Sequence, residues 1–181
     1  MSTTTETAIP AGTYTIDRVH SHVGFAVKHM VVATFRGRFE EYDATLEVGE
    51  DGTPRLSGTV DVGSIEVKDD NLAAHLQAPD FFDSERHPEL RFESDSIRID
   101  GGDVVVDGRL TIKGETRPVE ARGSIVGPLE DLGGNTKLGL ELTAIVDRTE
   151  FGLNWNAPLP RGGMALGNDV TLSIDLELLK A

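Results

Sequence analysis

The 181-residue chain carries 17 Lys and Arg against 31 Asp and Glu, a net charge of −14, and no cysteine. That charge argues against a nucleic-acid partner, whose phosphates need a basic face, and against docking on an anionic membrane through a polybasic patch. The missing cysteine excludes disulfides, thiol nucleophiles and zinc sites built on thiolates.

Residues 1–11, rich in Thr and small polar side chains, read as a loose tail, and residues 12–181 as a single domain. The tail has neither the basic start nor the apolar run of a secretory signal, so the expected location is cytoplasmic. No apolar run approaches the ~20 residues of a membrane helix, so no stable membrane insertion is expected.

The first strand candidate is "DRVHSHVGFAVKHM", residues 17–30. Val23, Phe25 and Val27 share one parity and mark the dry face. His20, His22 and Lys28 then fall on the wet face, and His29 follows the apolar residues to the strand end. A pair of outward histidines reads as polar surface rather than as a metal site, since zinc needs three or four ligands. His29, at the end of an inward row, is placed to meet a polar group there or to bond a loop backbone.

Tyr42, Ala44, Leu46 and Val48 alternate with Asp43, Thr45 and Glu47; Leu56, Val60 and Val62 alternate with Ser57, Thr59 and Asp61. Each is a strand with one wet and one dry face. Parity breaks between Phe39 and Tyr42 and between Val62 and Ile65, which predicts bulges or bends at Glu40–Glu41 and Gly63–Ser64. Residues 69–90 differ. Asp and Asn open the segment, Leu72, Ala73 and Leu76 follow at helical spacing, Pro79 starts a second short turn holding Phe81 and Phe82, and His87-Pro88 ends it. Beyond it, turn signals at "DGGD", "KGETRP" and "GPLEDLGGN" divide further strands. Val170, Leu172, Ile174, Leu176 and Leu178 make the last apolar row.

The pattern predicts an all-β chain with one short helical insertion. Closing the antiparallel sheet into a barrel of about eight strands removes its exposed edges; a two-sheet sandwich is the alternative. No motif marks a catalytic centre: there is no G-x-S-x-G, no carboxylate pair is singled out, and "RGGMALGN" lacks the strand and helix of a dinucleotide site. Arg148, in "RTEFG", is expected to pair with an acidic neighbour or to face a ligand. The ten phenylalanines, tyrosines and tryptophan pack as core or line an apolar cavity, the usual form of a small-molecule site.

Several of these segments, in this order, resemble the YceI-like, polyisoprenoid-binding proteins. Asp17, His20, Ser21, Val23, Phe25, Val27 and His29 fall on the pattern D-x-x-H-S-x-V-x-F-x-V-x-H. "RGRF", the stretch from Ser64 to Ser94 with its D-F-F-D, "GRLTIKGETRPV" and "RTEFG" continue the likeness. The resemblance implies an extended, lipocalin-like antiparallel β-barrel. It also implies non-enzymatic binding or transport of a long isoprenoid or similar amphiphilic lipid in the pore, with no metal, no other cofactor and a possible homodimer. His20 and Ser21 become framework residues of the opening strand. With the inward parities, it makes Phe25, Val27, His29, Phe39, Leu46, Val60, Leu76, Phe81, Phe82, Phe92, Leu110, Phe151 and Trp155 the expected ligand-contacting residues. Phe25, Val27, Leu46, Val60, Phe92, Leu110 and Phe151 are expected to line one continuous cavity. Two other readings are an isomerase or hydrolase using His29 or His75 as base, and a stress-related interaction module with an incidental cavity.

Overall fold

A computed structural model describes residues 8–181; the first seven residues of the expected tail lie outside the described residues. The strands are β1 (Gly12–Ile16), β2 (His22–His29), β3 (Ala33–Phe39), β4 (Tyr42–Val48), β5 (Pro54–Asp61), β6 (Ile65–Glu66), β7 (Glu89–Asp100), β8 (Asp103–Ile112), β9 (Glu115–Glu130), β10 (Thr136–Asp147) and β11 (Leu166–Lys180). One helix, α1 (Asp70–Gln77), stands between β6 and β7.

All pairings are antiparallel, and the sheet closes on itself through β1 and β11. Three long strands are each written in two pieces. β1 and β2 are halves of one strand broken by a 3-10 turn at Arg18–His20, and both pair with β11. β3 and β4 are halves of a second, bent at Glu40–Glu41, and β5 and β6 of a third, broken by a turn at Val62–Ser64. Counted this way, the chain is a closed barrel of eight strands, each beside its neighbour in sequence. The two predicted parity breaks coincide with the bend and the second turn.

Two local expectations change. His20 belongs to the 3-10 turn and His22 opens β2, so the two do not share a strand face. "GPLEDLGGN" is not a turn throughout. β9 runs on through Gly127 and Pro128 to Glu130 beside a pairing irregularity at Lys137–Gly139, and the reversal is confined to residues 131–135. There Asp131 Oδ1 accepts from the backbone N–H of Gly133 and Asn135, an Asx-type closure that period-two reading does not see.

The break between β1 and β2 is stapled to β11. Asp17 Oδ1 accepts from Val19 N–H at 2.9 Å and caps the turn. The Asp17 N–H donates to Glu177 O at 2.8 Å, and the Glu177 N–H donates to Ser21 Oγ at 3.0 Å. His20 Nδ1 lies 2.8 Å from Asp17 Oδ2 and 3.3 Å from Glu177 Oε2, and Lys137 Nζ reaches the same glutamate at 2.8 Å. Backbone groups that lose ladder partners at a strand break must find others; these residues supply them.

The barrel is filled at one end only. Tyr14, Leu138 and Leu178 are essentially inaccessible, and with Leu46, Val106 and Leu176 they form a packed plug where β1 begins and β11 ends. Tyr14 completes it by donating its hydroxyl to Pro10 O at 2.8 Å. The β2–β3 hairpin, α1, the β8–β9 hairpin and the β10–β11 connection gather at the other end.

The staple titrates. The hydrogen bond to Asp17, then its charge and that of Glu177, raise the His20 pKa above the ordinary 6.5. The same hydrogen bond leads in lowering Asp17 below the ordinary 3.8. A raised histidine pKa stabilises the fold fully below the unfolded value, and the effect is lost as pH rises through the folded one. A lowered carboxylate pKa stabilises above the ordinary carboxylate value and is lost as pH falls through the folded one. The pair therefore contributes between the carboxylate range and just above the ordinary imidazole range. In an NMR titration His20 should titrate above its ordinary value, and Asp17→Asn should move it back toward that value. A midpoint indifferent to Asp17→Asn would show that the contact is not made in solution.

Candidate functional site: a hollow half-barrel

Above the plug the inner faces of the strands enclose two adjoining chambers of about 430 and 140 Å³. Phe39, Leu90, Ile112 and Leu172 line both, so the chambers meet at that level. The larger lies at the end where the hairpins and α1 gather; the smaller sits between it and the plug.

Glycine keeps the rings against the wall. Gly37 stands directly across from Phe25 in the β2–β3 pair, and a Cβ there would come within 2.5 Å of the Phe25 ring. Gly108, paired with Ser94 one step diagonal to Phe92, lies under the Phe92 ring, which would be 2.5 Å from an added Cβ. Both rings lie over a bare backbone, and the lumen stays open. The rings continue inward as a chain. Phe25 is 5.8 Å from Phe39, and Phe39 meets Phe82 edge-on at 6.2 Å.

The end of α1 and the segment after it cover the large chamber. Asp69 caps the helix by accepting from Leu72 N–H at 2.9 Å. Leu76 and Phe81 are buried in the chamber wall, and Leu72 and Phe82 flank them. Gln77 donates to Val62 O at 2.8 Å, and Lys113 Nζ donates to Pro79 O at 2.7 Å and Gly152 O at 3.2 Å. These bonds fasten the cover to the barrel and to the β10–β11 connection. His75 sits edge-on between Phe81 at 4.9 Å and Trp155 at 5.4 Å. His29 and Thr34 add polar groups at the exposed rim.

Arg148 lines the same chamber and is 5% exposed. The expected acidic partner is not what holds it. Its guanidinium donates to backbone carbonyls: Nε to Gly167 O at 2.8 Å, and Nη1 to Leu153 O and to Trp155 O at 2.9 Å. Nη2 makes longer contacts with Leu166 O and Asn168 Oδ1. Burial lowers its pKa from the ordinary value, and the charge of Asp147 partly opposes this. With its donors occupied, Arg148 organises the connection rather than the lumen. Asn156 assists by bonding both the N–H and the C=O of Leu166.

Of the thirteen residues expected from sequence, Phe25, Val27, His29, Leu76, Phe81, Phe82, Phe151 and Trp155 line the large chamber. Val60, Phe92 and Leu110 line the small one, and Phe39 lines both. Leu46 lines neither: it has the same inward parity but lies farther down β4, in the plug. The cavity expected from parity is therefore two adjoining chambers that stop at a packed floor short of Leu46, because parity assigns a face and not a depth. Sequence reasoning also left out Leu90, Ile112 and Leu172, which join the chambers. Their inward parity was visible, but not their level.

Asp17, His20 and Glu177 offer one ligand atom each within 4.8 Å of one another, on the outside of the barrel. This grouping replaces the His20–His22 pair weighed from sequence, and the contacts among the three are the strand staple described above.

Arg148→Lys should lose most of the carbonyl contacts, since an ammonium has three donors and no planar fork. The expected cost is ~2–4 kcal/mol, with faster amide hydrogen exchange in residues 153–167. A loss under ~1 kcal/mol with unchanged exchange would show that the guanidinium does not hold the connection.

The profile of the YceI-like domain family matches residues 14–178, nearly the whole chain, and the protein belongs to that family. A UPF0312 protein of Staphylococcus aureus strain bovine RF122 / ET3-1 is 32% identical over 170 residues, covering 91% of this chain and 95% of that one. The fold is similar to the crystal structure of Burkholderia cenocepacia BcnA, with a TM-score of 0.75 at 21% identity over 90% of this chain and 98% of that one. It is also similar to a polyisoprenoid binding domain from Saccharophagus degradans, with a TM-score of 0.68 at 12% identity over 93% and 98%.

Proposed function

We propose that this YceI-like chain is a binding protein for a long apolar molecule of the isoprenoid or amphiphilic-lipid class, held in the hollow half of the barrel and carried rather than converted. The observation that carries the reading is the large chamber, walled by side chains such as Phe25, Val27, Phe81 and Phe151, with His29 and Thr34 at the rim and the buried Arg148 spending its donors on backbone carbonyls. Each CH₂ buried there contributes about 0.8 kcal/mol, so a flexible hydrocarbon binds without any specific polar contact. The structural likeness to a domain named for polyisoprenoid binding supports the same reading. A head group would rest at the rim, near His29, Thr34 and His75.

Organic extraction of the purified protein followed by mass spectrometry should release such a lipid. Val60→Glu puts a carboxylate into the small chamber, whereas Thr143→Glu puts one at an exposed position that lines neither chamber. The first should lower lipid content at least several-fold and the second should leave it unchanged. Equal lipid in both variants, or none in the parent protein, would overturn the proposal.

A further inference from the structure

The two chambers end on a floor, and we infer that the lumen holds only about four isoprene units of a bound chain, with the small chamber taking the last of them. The inference rests on the lipid-binding reading above and adds a length limit to it.

The small chamber exists because four inward positions carry almost no side chain: Ala44, Gly58, Ala121 and Ala144. Directly beyond it the lumen is solid. Leu56, Leu142 and Leu176 form its far wall at 5% exposure or less, and behind them stand the inaccessible Tyr14, Val106 and Leu178. No chain entering from the rim passes that plug without unpacking it. An apolar cavity of ~150 Å³ stays dry and takes one benzene. A five-carbon isoprene unit is of that size. The 140 Å³ chamber therefore takes one unit, and the 430 Å³ chamber takes about three. Phe39, 6% exposed and common to both walls, marks where the chain passes from one to the other.

The test uses delipidated protein and linear prenyl alcohols of two, three, four, six and nine units. They are measured in competition against a fluorescent fatty-acid probe, with detergent-free controls for self-association of the longer alcohols. Affinity should rise by about tenfold per added unit up to four and then level off, because further units remain outside. Ala144→Leu and Ala121→Leu fill the small chamber. They should abolish the gain between three and four units while leaving the two- and three-unit alcohols within about twofold. Leu142→Ala opens the floor and should move the plateau one unit up; it keeps the inference falsifiable if the larger residues prevent folding, as judged by circular dichroism. Affinity that keeps rising through six units, or filling variants that weaken every length equally, would overturn the length limit while leaving lipid binding intact. Failure of the parent protein to bind any of the alcohols would overturn the lipid reading itself, and the length limit with it.

Discussion

Everything inside this barrel depends on how β11 closes it. One 15-residue strand is edge partner to β10 along nearly its whole length, and on its other side it serves first β2 and then β1. Between those two the opening strand breaks, and the register against β11 changes across the break. Glu177 sits at that point. Its N–H and C=O are taken by Ser21 and Asp17 instead of by a continuous ladder, and its carboxylate is held by Lys137 and approached by His20. An unsatisfied pair of backbone groups here would cost about as much as two lost hydrogen bonds, in the one seam without which the sheet has open edges.

The breaks at residues 18–20, 40–41 and 62–64 lie between the packed plug and the large chamber. Below them β1, β4 and β5 bring Tyr14, Leu46 and Leu56 inward, and large residues meet across the lumen. Above them α1 and the segment carrying Phe81 pack into the wall beside Phe25 and Phe39. Along β4 and β10 small residues then replace large ones at the intermediate level. The lumen is thus graded, from plug to small chamber to large chamber. Side-chain volume sets the first two levels, and the added cover sets the third.

Much of this was legible in the sequence, for definite reasons. Alternation from Tyr42 to Val48 and from Val170 to Leu178 assigns inner faces, because a strand's side chains repeat every two residues. The parity breaks at Phe39/Tyr42 and Val62/Ile65 locate bends for the same reason. Leu46 shows the limit: parity gives a face, but height along the barrel depends on stagger between strands, which only pairing fixes. His20 shows another. Its period-two relation to His22 held no information, because Asp17 had already turned the chain into a 3-10 turn. Arg148 was legible as unusual but not as to its partners. Those are carbonyls from residues 153, 155, 166 and 167, brought together by a long connection that has no periodicity to read.

The hollow half sets a relation between occupancy and stability. Apolar side chains facing an unfilled space lose their dispersion partners on that side. The walls of both chambers are therefore less well packed than the plug, although the same strands build both. A hydrocarbon that fills the space restores those contacts only in the folded barrel, so occupancy must stabilise the fold by mass action. The elements outside the strands that it would touch are α1, the Phe81–Phe82 segment, and the connection held by Arg148. They are also the elements that stand between the large chamber and solvent. Filling the chamber and ordering its cover are coupled in this way, at the end of the barrel farthest from the Glu177 seam.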